Sequence, residues 1–336
     1  MSRSTTALTL TEINGPFEIR EIKLDTIRPD EALIEIHATG GGIVLQVGSE
    51  VTSVAPGDKV LLSFSHCETC GPCKSGHPAY CYTFNQRNFP GTRADGSRAM
   101  LSADGSKPLF SSFFGQSSFA RHTLVHKSCL VKVPPETNLS LFAPLGCGVQ
   151  TGAGAVMNTL DVKQGSTLAV FGAGSVGMSA IMAGKIRGAK TIIAVDLQPS
   201  RLDLAKRLGA THGVLGSANV VEEIRKICPP VGVDFAVDCT GSTKVIENMI
   251  ESLGTRGRAA TIGAPGFGMK VSVDVMNHLT LGREYVGCCE GDSLPSEGKL
   301  PLEEMITVYD MKDYAKALED SKAGVSLKAV LVWEQS

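Results

Sequence analysis

Four cysteines, Cys67, Cys70, Cys73 and Cys81, lie close together in a loop that also contains glycine and proline. The spacing C-x2-C-x2-C-x7-C lets four thiolates surround one ion tetrahedrally, and four sulfurs leave no open position for a substrate. We therefore predict a structural zinc site in a lobe at residues 66–82. An iron–sulfur cluster is the alternative, which the x7 spacing and the absence of a proline after the fourth cysteine disfavour.

A second group of residues could bind a pyrophosphate. An apolar run ends in the turn G-x-G-x-x-G, formed by Gly172, Gly174 and Gly177, with Val176 inside it. The first glycine permits the turn, the second lets the backbone approach the phosphates, and the third lets the following helix pack closely on its strand. We interpret this segment as a dinucleotide-binding turn.

Asp196 ends the next apolar strand, at the position of a carboxylate that accepts hydrogen bonds from both ribose hydroxyls. A carboxylate repels a 2′-phosphate, so the predicted cofactor is NAD rather than NADP. Arg201 either bonds the ribose or is a cation on a helix surface. Thr240 and Ile262 follow two later strands and are either cofactor contacts or parts of ordinary strand-to-helix turns.

Two patterns of periodicity divide the chain, and they predict an α/β protein. Short alternating runs separated by Gly-Pro and Pro-Asp predict a β-rich domain over residues 1–150. Strands alternating with helices predict a doubly wound parallel sheet over 151–290, with its ligand at the carboxyl ends of the strands. Residues 291–336 are expected to return to the first domain. The polar stretch 85–114 is expected to be a surface excursion, and a small-residue helix is expected at 153–160.

Composition excludes several classes of function. The 336 residues carry a net charge of −2, with 43% hydrophobic and 20% charged residues. The basic residues form no long run, so we expect neither nucleic acid nor an anionic membrane as a partner. No apolar stretch is long enough for a spanning helix, and the first twelve residues lack the pattern of a secretory signal, so the expected location is cytoplasmic.

Together these motifs resemble the zinc-containing medium-chain alcohol dehydrogenases, and the aryl- or benzyl-alcohol branch in particular. The resemblance is carried by residues 34–40, 57–60, the four-cysteine lobe, 146–152, the nucleotide turn and 308–310. It implies a GroES-like catalytic domain, a Rossmann domain, a homodimer or homotetramer, and hydride transfer between a small alcohol and a nicotinamide. It also implies a catalytic zinc with three ligands: a Cys after an A-T-G strand, a His in a G-H-E turn and a Cys in a later G-C-G.

The chain departs from the family at this catalytic metal. Cys147 is the third ligand, but Gly40 runs directly into Gly41, where the family has several dozen residues that carry the other two ligands. A shorter gap is expected near 292–298. His37 and Glu35 share one face of a strand, and we expect a structural role for both.

Three functions remain open. The first is an NAD-dependent dehydrogenase of an aromatic or allylic alcohol or aldehyde. The second is a zinc-independent homologue that binds the nucleotide and performs another step. The third is a redox-inactive nucleotide-binding remnant, or a sequence from an incomplete gene model.

Overall fold

The computed structural model describes residues 3–292 and 300–334, which form two compact units. Unit 1 comprises residues 1–147 and 302–336, and unit 2 comprises residues 148–301. The strands are β1 Arg3–Leu10, β2 Phe17–Leu24, β3 Glu31–Ala38, β4 Gly41–Val47, β5 Lys59–Leu62, β6 Met100–Ser102, β7 Pro108–Leu109, β8 His122–His126, β9 Leu130–Lys132, β10 Thr167–Phe171, β11 Thr191–Asp196, β12 His212–Leu215, β13 Val233–Asp238, β14 Leu253–Thr261, β15 Glu284–Gly287, β16 Ile306–Asp310 and β17 Lys328–Val332. The α-helices are α1 Gly71–Lys74, α2 Phe84–Asn88, α3 Leu139–Phe142, α4 Gly148–Gly154, α5 Ser175–Ile186, α6 Pro199–Leu208, α7 Val220–Ile227, α8 Thr243–Glu251, α9 Val275–Thr280 and α10 Tyr314–Ala323.

Unit 1 is built on two β-sheets. The larger one has the order β16-β17-β3-β4-β5-β9, with β8 also paired to β3, and the smaller one has the order β1-β2-β6-β7. Strand β3 is central, and its apolar side chains Ile34 and Ile36 are almost fully buried in a core that also contains Leu331 and Trp333 from the end of the chain. The end of the chain therefore contributes β16 and β17 to the larger sheet of unit 1.

A two-residue turn, Thr39-Gly40, joins β3 to β4 at the junction where the resemblance predicts that this chain lacks a segment. Three hydrogen bonds hold this turn on both sides. Thr39 N donates to Leu331 O at 2.9 Å, Leu331 N donates to Thr39 Oγ1 at 3.2 Å, and Leu62 N donates to Gly40 O at 2.8 Å. The shortened connection is thus a closed hairpin, and the sheet continues across it.

The stretch 85–114 is wrongly predicted as a surface excursion. It supplies β6 and β7 to the smaller sheet, and its Arg93 is only 8% exposed. The Arg93 guanidinium donates to both carboxylate oxygens of Glu31, at 2.6 and 2.9 Å, and to Asp25 at 2.6 Å. A buried arginine is stable only when its charge is paired in this way, and a polar composition does not reveal such pairing.

Unit 2 contains one six-stranded parallel sheet with the order β12-β11-β10-β13-β14-β15. Counted within the unit, this is the order 3-2-1-4-5-6 of dinucleotide-binding folds, so the predicted doubly wound sheet is confirmed. Strand β10 is buried from Leu168 to Phe171, since helices cover a parallel sheet on both faces. The predicted helix at 153–160 begins earlier, as α4, and continues as a π-helical turn at Ala155–Thr159.

The sequence predicts domain limits at residues 150 and 290. In the structure the first part of unit 1 ends at Cys147, and its second part begins at Leu302. Most of the second gap expected near 292–298 lies outside the described residues. The homodimer or homotetramer implied by the resemblance stays a prediction. Within the described ranges no single helix has the length and apolar character to cross a membrane, and one bent pair, Leu139–Gly146 with Gly148–Thr159, meets those criteria by length and composition alone.

The hairpin turn predicts a difference between two glycine substitutions. Gly40 has φ +102° and a Cβ there would lie 2.9 Å from Ala143 O, whereas Gly57 has φ +93° and no atom within 4 Å of its Cβ position. Both changes to alanine strain the backbone, at roughly 1–2 kcal/mol each. We expect Gly40→Ala to lower the free energy of unfolding more than Gly57→Ala, as measured by urea denaturation; equal losses would contradict the close packing of the turn.

Candidate functional site

The four cysteines of the lobe come together as predicted. Their sulfur atoms all lie within 4.8 Å of one another, with 3.9 Å between Cys67 and Cys73 and 3.4 Å between Cys70 and Cys73. A tetrahedral site with zinc–sulfur bonds of about 2.3 Å has sulfur–sulfur edges of about 3.8 Å. The side chains therefore fit a zinc ion, which they would hold with no coordination position left for a substrate.

Hydrogen bonds and burial act on these thiols in opposite directions. The pKa of Cys67 is lowered to about 5, chiefly by hydrogen bonds from the Thr69 hydroxyl and backbone and from Cys70 N. Burial and the neighbouring thiols raise the pKa of Cys73 to about 12. Four thiolates this close repel one another, so a dication is what allows all of them to be deprotonated together.

The glycine-rich turn connects β10 to α5. Gly172 has φ +91°, and a Cβ on Gly177 would lie 1.8 Å from Gly172 O, so neither position accepts a side chain without rearrangement. Gly174 precedes the helix, and a Cβ there would meet open space. The free amides at the start of α5 therefore face an accessible volume, which is the arrangement that binds phosphate at a helix N-terminus.

Asp196 lies at the carboxyl end of β11 and is 8% exposed. Its Oδ2 accepts a hydrogen bond from Ala173 N in the glycine turn at 2.7 Å, and its Oδ1 accepts from Gln198 N at 3.0 Å. Arg201 Nη1 lies 3.7 Å from Oδ2. The carboxylate is thus fixed beside the turn, and Arg201 lies next to it rather than on a distant helix surface.

These residues line one cleft of about 930 Å³ at the carboxyl edge of the parallel sheet. Its walls include Gly172, Gly174, Asp196, Arg201 and Thr240 from the predicted set. Val176, Gly177 and Ile262 do not contribute to these walls, and their predicted cofactor contacts stay predictions. For Gly177 the structure shows close packing on Gly172 instead.

Asp238, which is fully buried, holds Thr240 at the cleft. Its Oδ1 accepts hydrogen bonds from Thr240 N at 2.9 Å and Thr240 Oγ1 at 2.6 Å, and its Oδ2 accepts from Gly241 N at 3.2 Å. Burial raises the pKa of Asp238, and the bonds from Thr240 and Gly241 oppose that rise. Asp238 is therefore a positioning residue for the loop that follows β13.

Several cleft residues were not predicted from the sequence. Ser217 and Ala218 follow β12, a short edge strand that was missed because its residues are mostly exposed and do not alternate clearly. Lys244 and Asn248 lie on α8. The helix was predicted, but its periodicity could not show which turn faces the cleft.

Cys147 is exposed and lines a separate cavity of about 360 Å³ in unit 1. Thr39, Ser63 and Lys328 contribute polar groups to its walls. Three aromatic rings, Phe113, Phe114 and Phe119, form much of the remainder. This combination suits a small molecule with one polar group and an apolar or aromatic body.

Glu290 is a second carboxyl that the sequence did not single out. It follows β15 at the same carboxyl edge as Asp196 and Thr240, and its Oε2 accepts from Gln150 Nε2 at 3.2 Å and Thr151 Oγ1 at 3.4 Å. Burial raises the pKa of Glu290, and these two bonds oppose the rise. In the sequence, the position of Glu290 just after the last strand of the parallel sheet was the feature that could have marked it as a candidate site residue.

Comparison with known proteins gives the family that the sequence motifs resemble. A family described as alcohol dehydrogenase GroES-like domain matches residues 37–135, and one described as zinc-binding dehydrogenase matches residues 175–306. The geraniol dehydrogenase of Castellaniella defragrans is 32% identical, with 98% of each chain covered. The chain belongs to the zinc-type medium-chain alcohol dehydrogenase family. It is an alcohol dehydrogenase-like oxidoreductase.

Two solved structures agree with this medium-chain dehydrogenase fold. An alcohol dehydrogenase zinc-binding domain protein from Burkholderia ambifaria has a TM-score of 0.94 at 40% identity and covers 100% of both chains. Benzyl alcohol dehydrogenase from Acinetobacter calcoaceticus has a TM-score of 0.92 at 34% identity and covers 99% of this chain and 100% of its own. The predicted GroES-like and Rossmann combination is therefore confirmed.

In the part of the chain that the structure describes, no side chains form the ligand set of a catalytic zinc. The alignment with geraniol dehydrogenase spans 368 positions, 32 more than the 336 residues here, so the relative has residues without a counterpart in this chain. Within residues 3–292 and 300–334, the lobe cysteines are the single group of three or more His, Cys, Asp or Glu side chains close enough to bind one ion. Cys147 is not part of it, so the residues at Cys147 do not fit a three-ligand zinc.

His37 and Glu35 do not replace the missing ligands. His37 Nε2 lies 3.7 Å from Glu35 Oε2, and the same carboxylate lies 3.8 Å from Arg121 Nη2. The pair is part of a charged cluster formed by β3 and Arg121, the residue before β8, without a third metal-binding side chain among the described residues.

The zinc content of the protein should depend on the four lobe cysteines and not on Cys147. We expect one zinc ion per chain in the wild type and in Cys147→Ser, and loss of most of it in Cys81→Ser, because three thiolates hold zinc less well than four. Inductively coupled plasma mass spectrometry on purified protein measures this. Two zinc ions in the wild type, or loss of zinc from Cys147→Ser, would show that a second site exists.

Glu290→Gln should stabilise the protein in a pH-dependent way. The folded pKa of Glu290 lies above its unfolded value, so its contribution to stability is fully present below the unfolded pKa, about 4.3, and is lost as pH rises through the folded pKa. Glutamine keeps an acceptor for Gln150 and Thr151 without the buried charge. We expect a higher melting temperature for Glu290→Gln than for wild type at pH 8, with the difference shrinking towards pH 4.

The matched control is Glu284→Gln, on the exposed side of β15, where the carboxylate lies 3.3 Å from Arg258 Nε. This variant should not gain stability as pH rises. If Glu290→Gln raises the melting temperature by the same amount at every pH, burial of the Glu290 charge is not the cause.

Proposed function

We propose that the protein is an NAD-dependent dehydrogenase of aromatic or allylic alcohols and aldehydes, and that hydride transfer occurs without a catalytic zinc. A nicotinamide nucleotide held at Gly172, Gly174 and Asp196 would accept hydride from the carbinol carbon in the oxidative direction, and the hydroxyl proton would leave to a base or to water. The observation that carries the proposal is the Asp196 carboxylate, bonded to Ala173 N and facing the cleft of unit 2.

The choice of NAD is supported by charge and burial. A ribose with two free hydroxyls can donate to a carboxylate, whereas a 2′-phosphate would bring two negative groups together at a buried position. Arg201 lies close enough to reduce this repulsion, but it already faces Asp196 and would have to serve both groups.

The substrate class is supported by the cavity at Cys147. Its aromatic walls favour flat or apolar bodies, since aromatic pairs stack in offset or edge-to-face arrangements. Phe113 and Phe114 pack with ring centroids 4.8 Å apart, and Phe114 contacts Phe89 at 5.7 Å. The names of two relatives, geraniol dehydrogenase and benzyl alcohol dehydrogenase, agree with an allylic or aromatic alcohol.

In this cavity the chain's own polar groups must orient the substrate oxygen. Lys328 is one of the residues that line this cavity, and its positive charge would favour the alkoxide form of a bound alcohol. The Ser63 hydroxyl donates to Gly146 O at 2.9 Å, which fixes its side chain in the wall of the cavity. These groups supply less polarisation than a metal ion, so we expect slow turnover.

A redox-inactive nucleotide-binding protein is the second candidate. One observation favours it: of the three ligands that the family uses for its catalytic zinc, Cys147 is the one that remains, and no described side chains complete the set around it. Both candidates require cofactor binding, and turnover separates them.

Cofactor preference tests the role of Asp196. We expect the wild type to bind NADH at least about tenfold more tightly than NADPH, because the carboxylate repels the 2′-phosphate, and Asp196→Ser to lose most of this preference. Fluorescence titration of each nucleotide measures the dissociation constants. Asp203→Ser, which changes an exposed carboxylate on α6, is the matched control and should behave as wild type. Equal affinities of the wild type for NADH and NADPH would contradict the proposed preference for NAD.

Absorbance of NADH then decides between the two candidates. Turnover of cinnamyl or benzyl alcohol with NAD, or of the aldehydes with NADH, by protein that binds one zinc per chain supports the zinc-independent dehydrogenase. Tight NADH binding without turnover of any of these compounds supports the redox-inactive protein.

A further inference from the structure

Unit 1 contains a second, larger cavity of about 670 Å³, which we call the outer cavity. It is bounded by β1 and β2 on one side and by the segment 108–120 on the other. Its walls include the apolar side chains of Leu8, Ile22 and Met100, and among the described residues no Asp, Glu, Lys, Arg or His lines it. A phosphate or carboxylate group would find no ion partner here, so the walls favour an uncharged apolar ligand.

Two of the five hydroxyl-bearing residues that line the outer cavity donate to the backbone. Thr9 Oγ1 donates to Glu18 O at 3.2 Å, and Ser117 Oγ donates to Ser111 O. Hydroxyls already bonded to the backbone have less to offer a polar ligand. The ligand therefore gains its binding energy mainly from apolar contact.

The outer cavity and the cavity at Cys147 share part of their walls. Phe113, Gln116, Ser118 and Phe119 line both. The two rings stay partly exposed, at 55% for Phe113 and 42% for Phe119, although aromatic side chains favour burial. The hydrocarbon chain of a ligand whose polar end lies in the cavity at Cys147 can therefore extend over these rings into the outer cavity.

We propose that the outer cavity binds the apolar tail of a long-chain allylic alcohol or aldehyde, whose oxygen-bearing end occupies the cavity at Cys147. This inference rests on the proposed function and narrows its substrate class from aromatic or allylic alcohols and aldehydes to allylic ones with an extended hydrocarbon chain. Each methylene removed from water strengthens binding about fourfold when it is fully buried. A tail of several methylenes therefore gives a large preference over a short alcohol.

Substitutions that fill the outer cavity test the proposal. Thr9→Trp places a large ring in its wall, and tryptophan is accepted in strands as readily as threonine. Thr11→Trp is a second variant at an exposed wall position, in case the first does not fold. Glu21→Trp is the matched control, since Glu21 is exposed on β2 and lines neither cavity.

Binding is measured first without cofactor or turnover. The fluorescent probe N-phenyl-1-naphthylamine is bound to the protein and displaced with 2-buten-1-ol or 2-decen-1-ol. We expect decenol to displace the probe from wild type and Glu21→Trp at a concentration at least about tenfold lower than butenol. Thr9→Trp and Thr11→Trp should lose most of this difference.

Kinetics with the same two alcohols complete the test. Filling the outer cavity should raise KM for decenol at least about tenfold and leave KM for butenol nearly unchanged. If the folded variants bind and oxidise decenol as the Glu21→Trp control does, the proposal is wrong. If decenol binds in the expected pattern but neither alcohol is oxidised, the outer cavity stands as a binding site and the proposed dehydrogenase activity fails.

Discussion

The hairpin turn at Thr39-Gly40 is the constraint on which unit 1 depends. Central strand β3 pairs with β4, β8 and β17, so any change at its end must keep all three ladders in register. Hydrogen bonds from Leu331 and Leu62 fix the turn, and Gly40 packs against Ala143. The resemblance implies that this turn stands where the family carries two ligands of its catalytic zinc. On that prediction, a closed sheet and an incomplete metal site are two results of one connection.

The lobe cysteines and the cavity at Cys147 are linked by packed aromatic rings. Phe84 follows Cys81 by three residues, and its ring contacts Phe64 at 5.7 Å and Phe114 at 6.3 Å. Asn88 holds the same helix by accepting from Ser65 N and donating to Ser65 O, at 2.8 and 2.9 Å. An ion that orders the lobe therefore also orders the wall of the cavity, although it does not touch a substrate.

Much of the nucleotide cleft could be predicted from the sequence because its chemistry depends on local spacing. The glycine turn, the carboxylate at the end of β11 and the cysteine lobe each lie within a short segment. Arg93 was missed because its burial depends on carboxylates more than sixty residues away in the chain. Helix α9 has no buried residue and so lacks the periodic apolar face that predicts a helix. The walls of the two cavities in unit 1 come from distant segments, and no local pattern marks them.

The hydrogen bonds of Asp196 have a consequence for the entropy of cofactor binding. Backbone amides of Ala173 and Gln198 already hold both carboxylate oxygens, so the side chain has little rotamer freedom left to lose when a ribose arrives. Such preorganisation reduces the ordering cost that association must otherwise overcome. In the proposed NAD complex, the same rigidity would disfavour a sugar that carries a 2′-phosphate, because the fixed carboxylate could not turn away from it. The proposed preference for NAD would then be set by the folded chain before any ligand enters.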